Sequence, residues 1–347
     1  MRRSFLGALF LILLGIGDGK AQSPECRLDD ANRAFLETAL QDWQTAVARH
    51  LQLPHAPLPW IVAFDRECSW NLAPEPATPE RGAWTVSKLR FRGQPIFLKT
   101  ERHGGTVRPP SGDPFPVSPR IYAAHAASLG RAYFVMALPD VFAADPQAAK
   151  DPLLRERLRS VVSHELLHTR QLPDVAAQIR SLRERFTLPG DIDDNIIQRR
   201  FGSNPEFRAG WERERDLFYE AVADADEKSA GRKALDAIAL MRARQARFYT
   251  GSERPFERIE QLFLNMEGAA EWVRYKIHEH DHERFKTHAD IIQFIRGREN
   301  DWVQDEGLAL VLLLDRFASG WQRRLLTPDL ASPVDELERA MRADARR

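Results

Sequence analysis

The chain has 347 residues, with 50 Lys and Arg against 50 Asp and Glu, so its formal net charge is zero. Balanced charge removes any general argument for nucleic acid or an anionic membrane as partner. Beyond the N-terminus no segment approaches the ~20 apolar residues that span a bilayer.

In chain order, the first residues read as a signal peptide. Arg2 and Arg3 supply the charge, Phe5 to Ile16 an apolar stretch too short for a comfortable membrane span, and Gly19-Lys20-Ala21 a small-x-small cleavage site. Cleavage near Ala21 is expected to leave an exported chain, periplasmic or extracellular, with no membrane attachment. Cys26 lacks the preceding small residues of a lipid-attachment signal. Export implies an oxidising compartment, where Cys26 and Cys68 either form one disulfide or remain two buried thiols.

Asp29 to Leu51 follows a helical pattern, and the Pro-broken segment Leu53 to Pro59 leads into Trp60 to Phe64, a strand candidate. Gly93 to Leu98 and Arg131 to Ala137 are the best of the further strands, separated by the Pro-rich loop Arg108 to Pro116. Leu153, Leu154, Leu158, Val161, Val162, Leu166 and Leu167 then recur at helical spacing, as in a buried amphipathic helix. From Pro173 onward the pattern is almost wholly helical: Trp211 to Phe248, Pro255 to Phe285, Trp302 to Phe317, and a final surface helix from Leu330 to Ala345. The expected fold class is α+β, with a small N-terminal mixed sheet and a mostly helical C-terminal lobe. Residues 1–21 are the signal peptide, 22–172 an α+β lobe ending in the helix just described, and 173–347 the helical lobe.

That helix carries His164, Glu165 and His168, an H-E-x-x-H pattern. Residues i and i+4 share a helix face, so both imidazoles can reach one Zn²⁺ while Glu165 holds a water beside it. His278-Glu279-His280-Asp281-His282 fits the same pattern, but its inner residues and its neighbours Glu283 and Arg284 are charged, so it reads as a solvated helix surface. The run His278, His280, His282 and His288 has an accessory metal site as its other reading.

With Val161, Val162, Leu166, Leu167 and Thr169 uncharged around it, the first motif resembles the zincin metallopeptidases; Arg170 departs from the usual apolar residue there. The resemblance implies a zincin-like metal helix preceded by a small sheet whose edge strand lines the substrate cleft. Tyr133 to Ala137 is expected to be that strand, holding an extended peptide by backbone pairing. The H-x-x-G-x-x-H continuation of the metzincins is absent, so the third ligand comes from elsewhere. Three segments offer it. Asn265-Met266-Glu267-Gly268-Ala269-Ala270-Glu271-Trp272 resembles a gluzincin glutamate helix with one residue inserted. There Glu267 would bind metal, Gly268 would allow close approach, and Glu271 would support a ligating imidazole. Glu220-Ala221-Val222-Ala223-Asp224 matches an E-x-x-A-D pattern of other gluzincins, making Glu220 the alternative ligand. Glu306, at the first turn of an apolar helix, is the third candidate.

The resemblance, limited to the metal helix and the Glu267 helix, implies a zinc-dependent peptidase acting on a peptide or protein, with Glu165 as general base. Tyr219, Tyr275 and His278 are candidates for stabilising the oxyanion. Two other readings remain: an exported binding or structural protein whose zinc only holds the lobes together, and a zinc hydrolase of non-peptide substrates.

Overall fold

A computed structural model of the chain describes residues 26–53, 56–76, 84–126, 130–296 and 301–344; the expected signal segment lies outside the described residues. Cys26 and Cys68 are joined in a disulfide, which ties the segment before the first helix to the sheet. Helix α1 (Asp30–Thr45) begins where the Asp29 carboxylate accepts the Asn32 amide at 2.7 Å, satisfying a donor that a helix start leaves open. Phe35, Leu36, Ala39, Leu40 and Trp43 face inward at helical spacing. A π-helical turn, Ala46–His50, prolongs the helix almost to the expected end at Leu51.

Among the described residues there are eight strands: β1 (Trp60–Phe64), β2 (Cys68–Ala73), β3 (Thr85–Phe91), β4 (Gln94–Arg102), β5 (Thr106–Val107), β6 (Phe115–Pro116), β7 (Ile121–Ala126) and β8 (Arg131–Ala137). Six form one sheet in the order β3-β4-β2-β1-β8-β7, while β5 pairs with β6. β1 and β8 are parallel and the other neighbours antiparallel, so the sheet is mixed. Arg92 and Gly93 have φ of 53° and 75°, the geometry of a two-residue hairpin turn. Gly93 therefore closes the β3–β4 hairpin, and the expected strand starts at Gln94.

The expected edge strand is corrected. Arg131–Ala137 lies inside the sheet between β1 and β7, and β7 takes the edge. Ala132 to Ala137 are all buried, as in a strand covered on both faces.

The helices are α2 (Pro139–Ala143), α3 (Leu154–Arg185), α4 (Ile196–Phe201), α5 (Pro205–Ala223), α6 (Glu227–Phe248), α7 (Pro255–His278), α8 (His288–Arg296), α9 (Trp302–Phe317), α10 (Gln322–Leu325) and α11 (Pro333–Asp344). The architecture is α+β as expected, a mixed sheet followed by a helical region. Among the described residues no helix is long and apolar enough to cross a membrane. Helix α3 runs straight through Pro173, so the boundary expected at 172/173 falls inside one helix. An interior proline costs roughly 3 kcal/mol by removing a backbone bond and crowding the turn before it. Packing of α3 against α1, α7, β7 and β8 offsets that cost.

Helix α7 is the core of the helical part, with Ile259 to Tyr275 buried on every side. A helix without a solvent face must pair its polar side chains internally. Gln261 accepts from Ser332 at 2.6 Å, Asn265 donates to the Leu325 and Ala331 carbonyls, and Glu260 accepts two bonds from Arg244. Gly268 meets Gly307 of α9 backbone to backbone: a Cβ there would lie 2.4 Å from the Gly307 carbonyl oxygen.

Candidate metal centre

His164 and His168 sit one turn apart on the face of α3 that packs against α7, with ring centroids 4.3 Å apart. Both are buried, and both turn Nε2 toward Glu267 of α7. His164 Nε2 is 3.4 Å from Oε2 and His168 Nε2 is 3.2 Å from Oε1. Among the described residues these three form the one group of His, Cys, Asp or Glu side chains whose ligand atoms converge within 4.8 Å. Donors bound at 2.0–2.2 Å around a tetrahedral ion lie about 3.3 Å from one another, which is the spacing seen between each imidazole and the carboxylate. Oε2 of Glu267 is buried without a hydrogen-bond partner. The donor set fits a small, borderline-soft divalent cation such as Zn²⁺.

The far nitrogens face protein oxygens as well, through an ion-pair contact at His164 and a hydrogen bond at His168. Glu271 Oε1 lies 3.0 Å from Nδ1 of His164, and Arg274 grips Glu271 through both oxygens at 2.9 and 2.8 Å. Gln171 Oε1 lies 3.1 Å from Nδ1 of His168, while its amide donates to the Met266 carbonyl at 3.3 Å. Outer partners of this kind fix ring orientation and tautomer, leaving Nε2 free for a metal. Glu271 thus lies beside the His164 imidazole, where a supporting carboxylate was expected; Gln171 was not anticipated.

Electrostatics follow from this crowding. Burial opposes charge on His164, but Glu271 and Glu267 outweigh it and push the imidazole up to about 10. His168 is raised in the same way, chiefly by Glu267 against the cost of burial. Burial alone would raise Glu267, yet the two histidines hold its carboxyl well below the usual range. Without a metal the site therefore holds a proton on His164 and favours one on His168.

Glu165 faces the sheet: the Ala123 amide of β7 donates to its Oε2 at 2.8 Å. A cavity of about 510 Å³ opens over Glu165 and the three converging residues. Its walls include Ile121, Ala123 and His125 of β7, Leu172, Val175, Ala176 and Ile179 of α3, and Asp194, Phe263, Met266 and Gln304. Tyr122 also borders it, but the ring stacks edge-on to Phe115 in a separate small core. Burial, together with Glu267 and Asp193, pushes Asp194 up to about 6.

The other sequence candidates lie elsewhere. Glu220 is exposed on α5 and lines a different surface hollow with Glu212, Arg213, Asp216 and Asp236. It is not brought to the histidines. Glu306 is fully buried, but in a network around Arg244, which bonds Glu214 and Glu260; burial and Glu214 raise its carboxyl far above the ordinary range. Enclosed among Glu214, Arg244 and Glu260, it is not brought to the histidines either. Tyr219 donates to the Asp305 carbonyl at 2.8 Å, Tyr275 bonds the His288 ring, and neither lines the cavity.

The expectation for His278 is corrected. It is fully buried at the last turn of α7, its ring 5.1 Å from Phe285 and 5.0 Å from Phe294, and burial lowers it to about 3. The helix ends there, so the second H-E-x-x-H is a helix terminus and a turn, with His280 and His282 exposed beyond it. His125, Asp194 and Gln304 were missed from sequence, because none belongs to a spaced motif.

Comparison of the chain with known protein families, with curated proteins and with solved structures finds no match.

Proposed function

We propose that this chain is an exported zinc-dependent metallopeptidase of gluzincin type, with His164, His168 and Glu267 as metal ligands and Glu165 as general base. The observation that carries the reading is the convergence of two Nε2 atoms on one buried carboxylate, 3.4 and 3.2 Å away, with Glu165 on the next residue of the same helix and an open cavity above. A structural zinc site is closed by four protein ligands; three ligands opening on a cavity favour catalysis.

Zn²⁺ bound there supplies a Lewis acid that acidifies a water and draws electron density from a scissile carbonyl. Every other role falls to the protein. Glu165 takes the proton of the attacking water and returns it to the leaving amine. Glu271 and Gln171 hold the imidazoles in register. His125, on the edge strand beside the cavity, is the side chain we assign to the oxyanion.

Strand β7 supports an extended peptide as substrate. Residues of an antiparallel strand alternate between bonding the neighbour and facing away. The Arg120 carbonyl bonds inward to the Ala137 amide, whereas the Ala123 amide turns outward to Glu165. Ile121 and His125, and the carbonyl of Ala123, therefore face the open edge, where a peptide can pair. The Cys26–Cys68 disulfide supports an oxidising compartment and hence export.

Glu165→Gln tests the reading. On a peptide library the wild type cleaves and loses activity on chelation, while the variant keeps zinc and loses turnover by roughly a hundredfold or more. A zinc-loaded wild type that cleaves no peptide sinks the peptidase reading, and a variant that matches the wild type sinks the role of Glu165.

A further inference from the structure

The cavity has an unbalanced charge. Its described lining contains Glu165, Asp193, Asp194 and Glu267 and no lysine or arginine. Asp193 is neutralised outside by Arg199, whose guanidinium reaches both its oxygens at 2.6 and 2.7 Å. Glu267 is held by the histidines. Among the described residues Asp194 has no lysine or arginine partner; it accepts the Asn195 side-chain amide at 3.3 Å, and the charge on His168, which favours its ionised form, is given up once that imidazole binds a metal. Even with a dication bound, Glu165, Glu267 and Asp194 leave one surplus negative charge in a partly desolvated space.

The wall beside this charge is aliphatic. Leu172, Val175, Ala176 and Ile179 continue the face of α3 that carries His164 and His168, and Phe263 adds to it from α7. Passage of the helix through Pro173 makes this surface continuous with the metal ligands. An apolar wall with one unpaired carboxylate matches a long methylene stem ending in a cation.

We propose that Asp194 is the specificity-determining residue of this cleft and anchors the ammonium or guanidinium of a lysine or arginine side chain close to the scissile bond. The proposal rests on the peptidase reading for its substrate class. Arginine offers two parallel hydrogen bonds to the carboxylate and lysine a point charge, so both are accepted. A glutamate in the same position meets Asp194 and is excluded by like-charge repulsion.

Binding tests this apart from turnover. Zinc-loaded Glu165→Gln protein is titrated with capped peptides that carry lysine, arginine, norleucine or glutamate at each position in turn, read by fluorescence anisotropy. At one position lysine and arginine bind roughly tenfold or more tighter than norleucine, and adding Asp194→Asn removes the difference. Adding Asp194→Lys instead moves the preference toward glutamate, a gain that a misfolded variant does not produce. Norleucine peptides with a free N-terminus form a further arm. A tightening there that also depends on Asp194 assigns the anchored cation to the α-amino group and overturns the side-chain assignment. Equal binding of lysine and norleucine at every position, or a preference that survives Asp194→Asn, overturns the proposal. Turnover separates the two readings. A wild type that cleaves all peptides alike overturns the role of Asp194 alone, whereas selective binding without cleavage overturns the peptidase reading alone.

Discussion

Nδ1 of His164 lies 3.0 Å from Oε1 of Glu271, and Arg274 holds that same carboxylate through both oxygens. Glu271 stands one turn after Glu267 on α7, so one helix supplies both a metal ligand and the group that orients another ligand. Glu271→Gln is expected to weaken zinc binding about 10–100-fold, measured by competition with a chromogenic chelator. It also strands the buried Arg274 charge, and breaking a buried pair in this way costs about 3–5 kcal/mol. The double variant Glu271→Gln with Arg274→Met is expected to regain stability without regaining affinity. Affinity that returns with stability would show Glu271 to be structural only.

Zinc binding should release protons. Raised above its ordinary value of 6.5 to about 10, His164 in the folded metal-free protein is charged at neutral pH. His168 is shifted in the same direction. A group whose folded pKa is raised adds stability that is complete below the unfolded value and lost as pH climbs through the folded one. Metal-free stability from His164 therefore declines between about pH 6.5 and 10, while zinc affinity rises over the same window as protons compete less. Calorimetry in buffers of different ionisation enthalpy is expected to show at least one proton released per ion at pH 7.5. Zero release would contradict a protonated His164.

Gly268→Ala probes the contact between α7 and α9. The added Cβ would sit 2.4 Å from the Gly307 carbonyl oxygen and 2.9 Å from its Cα, atoms of a helix backbone that cannot swing aside. Overpacking of this kind costs roughly 1–3 kcal/mol, and because Glu267 is the preceding residue, zinc affinity should fall with stability. Gly231→Ala in α6 is the contrast. Its Cβ meets nothing within 4 Å, so the helix gains by roughly 0.5–1 kcal/mol. Chemical denaturation of both variants measures the opposite signs.

Legibility in the sequence followed the range of the interactions. His164, Glu165 and His168 were readable because helical spacing fixes which side chains share a face, and their apolar flanks marked a buried helix. Glu267 was readable through Glu271 at i+4 and the small residues between them, which signal a helix pressed closely against its neighbours. Strand β7 was not, since Ile121-Tyr122-Ala123-Ala124-His125-Ala126 has three alanines and little β preference, and its place at the edge comes from pairing with β8. His278 looked solvated because Glu279 to Arg284 are charged, yet the helix ends at His278 and the charges leave with the turn. Pro173 suggested a helix end that tertiary packing overrides. Asp194 and His125 depend on loops and edges meeting across the cavity, which no local pattern encodes.

The central claim is that His164, His168 and Glu267 form one zinc centre, and metal analysis of three purified proteins tests it most directly. After exposure to zinc and desalting, the wild type and Glu220→Gln are each expected to retain about one zinc per chain, and Glu267→Gln little. A wild type that holds no zinc, or a Glu267→Gln protein that keeps it while Glu220→Gln loses it, would contradict the account.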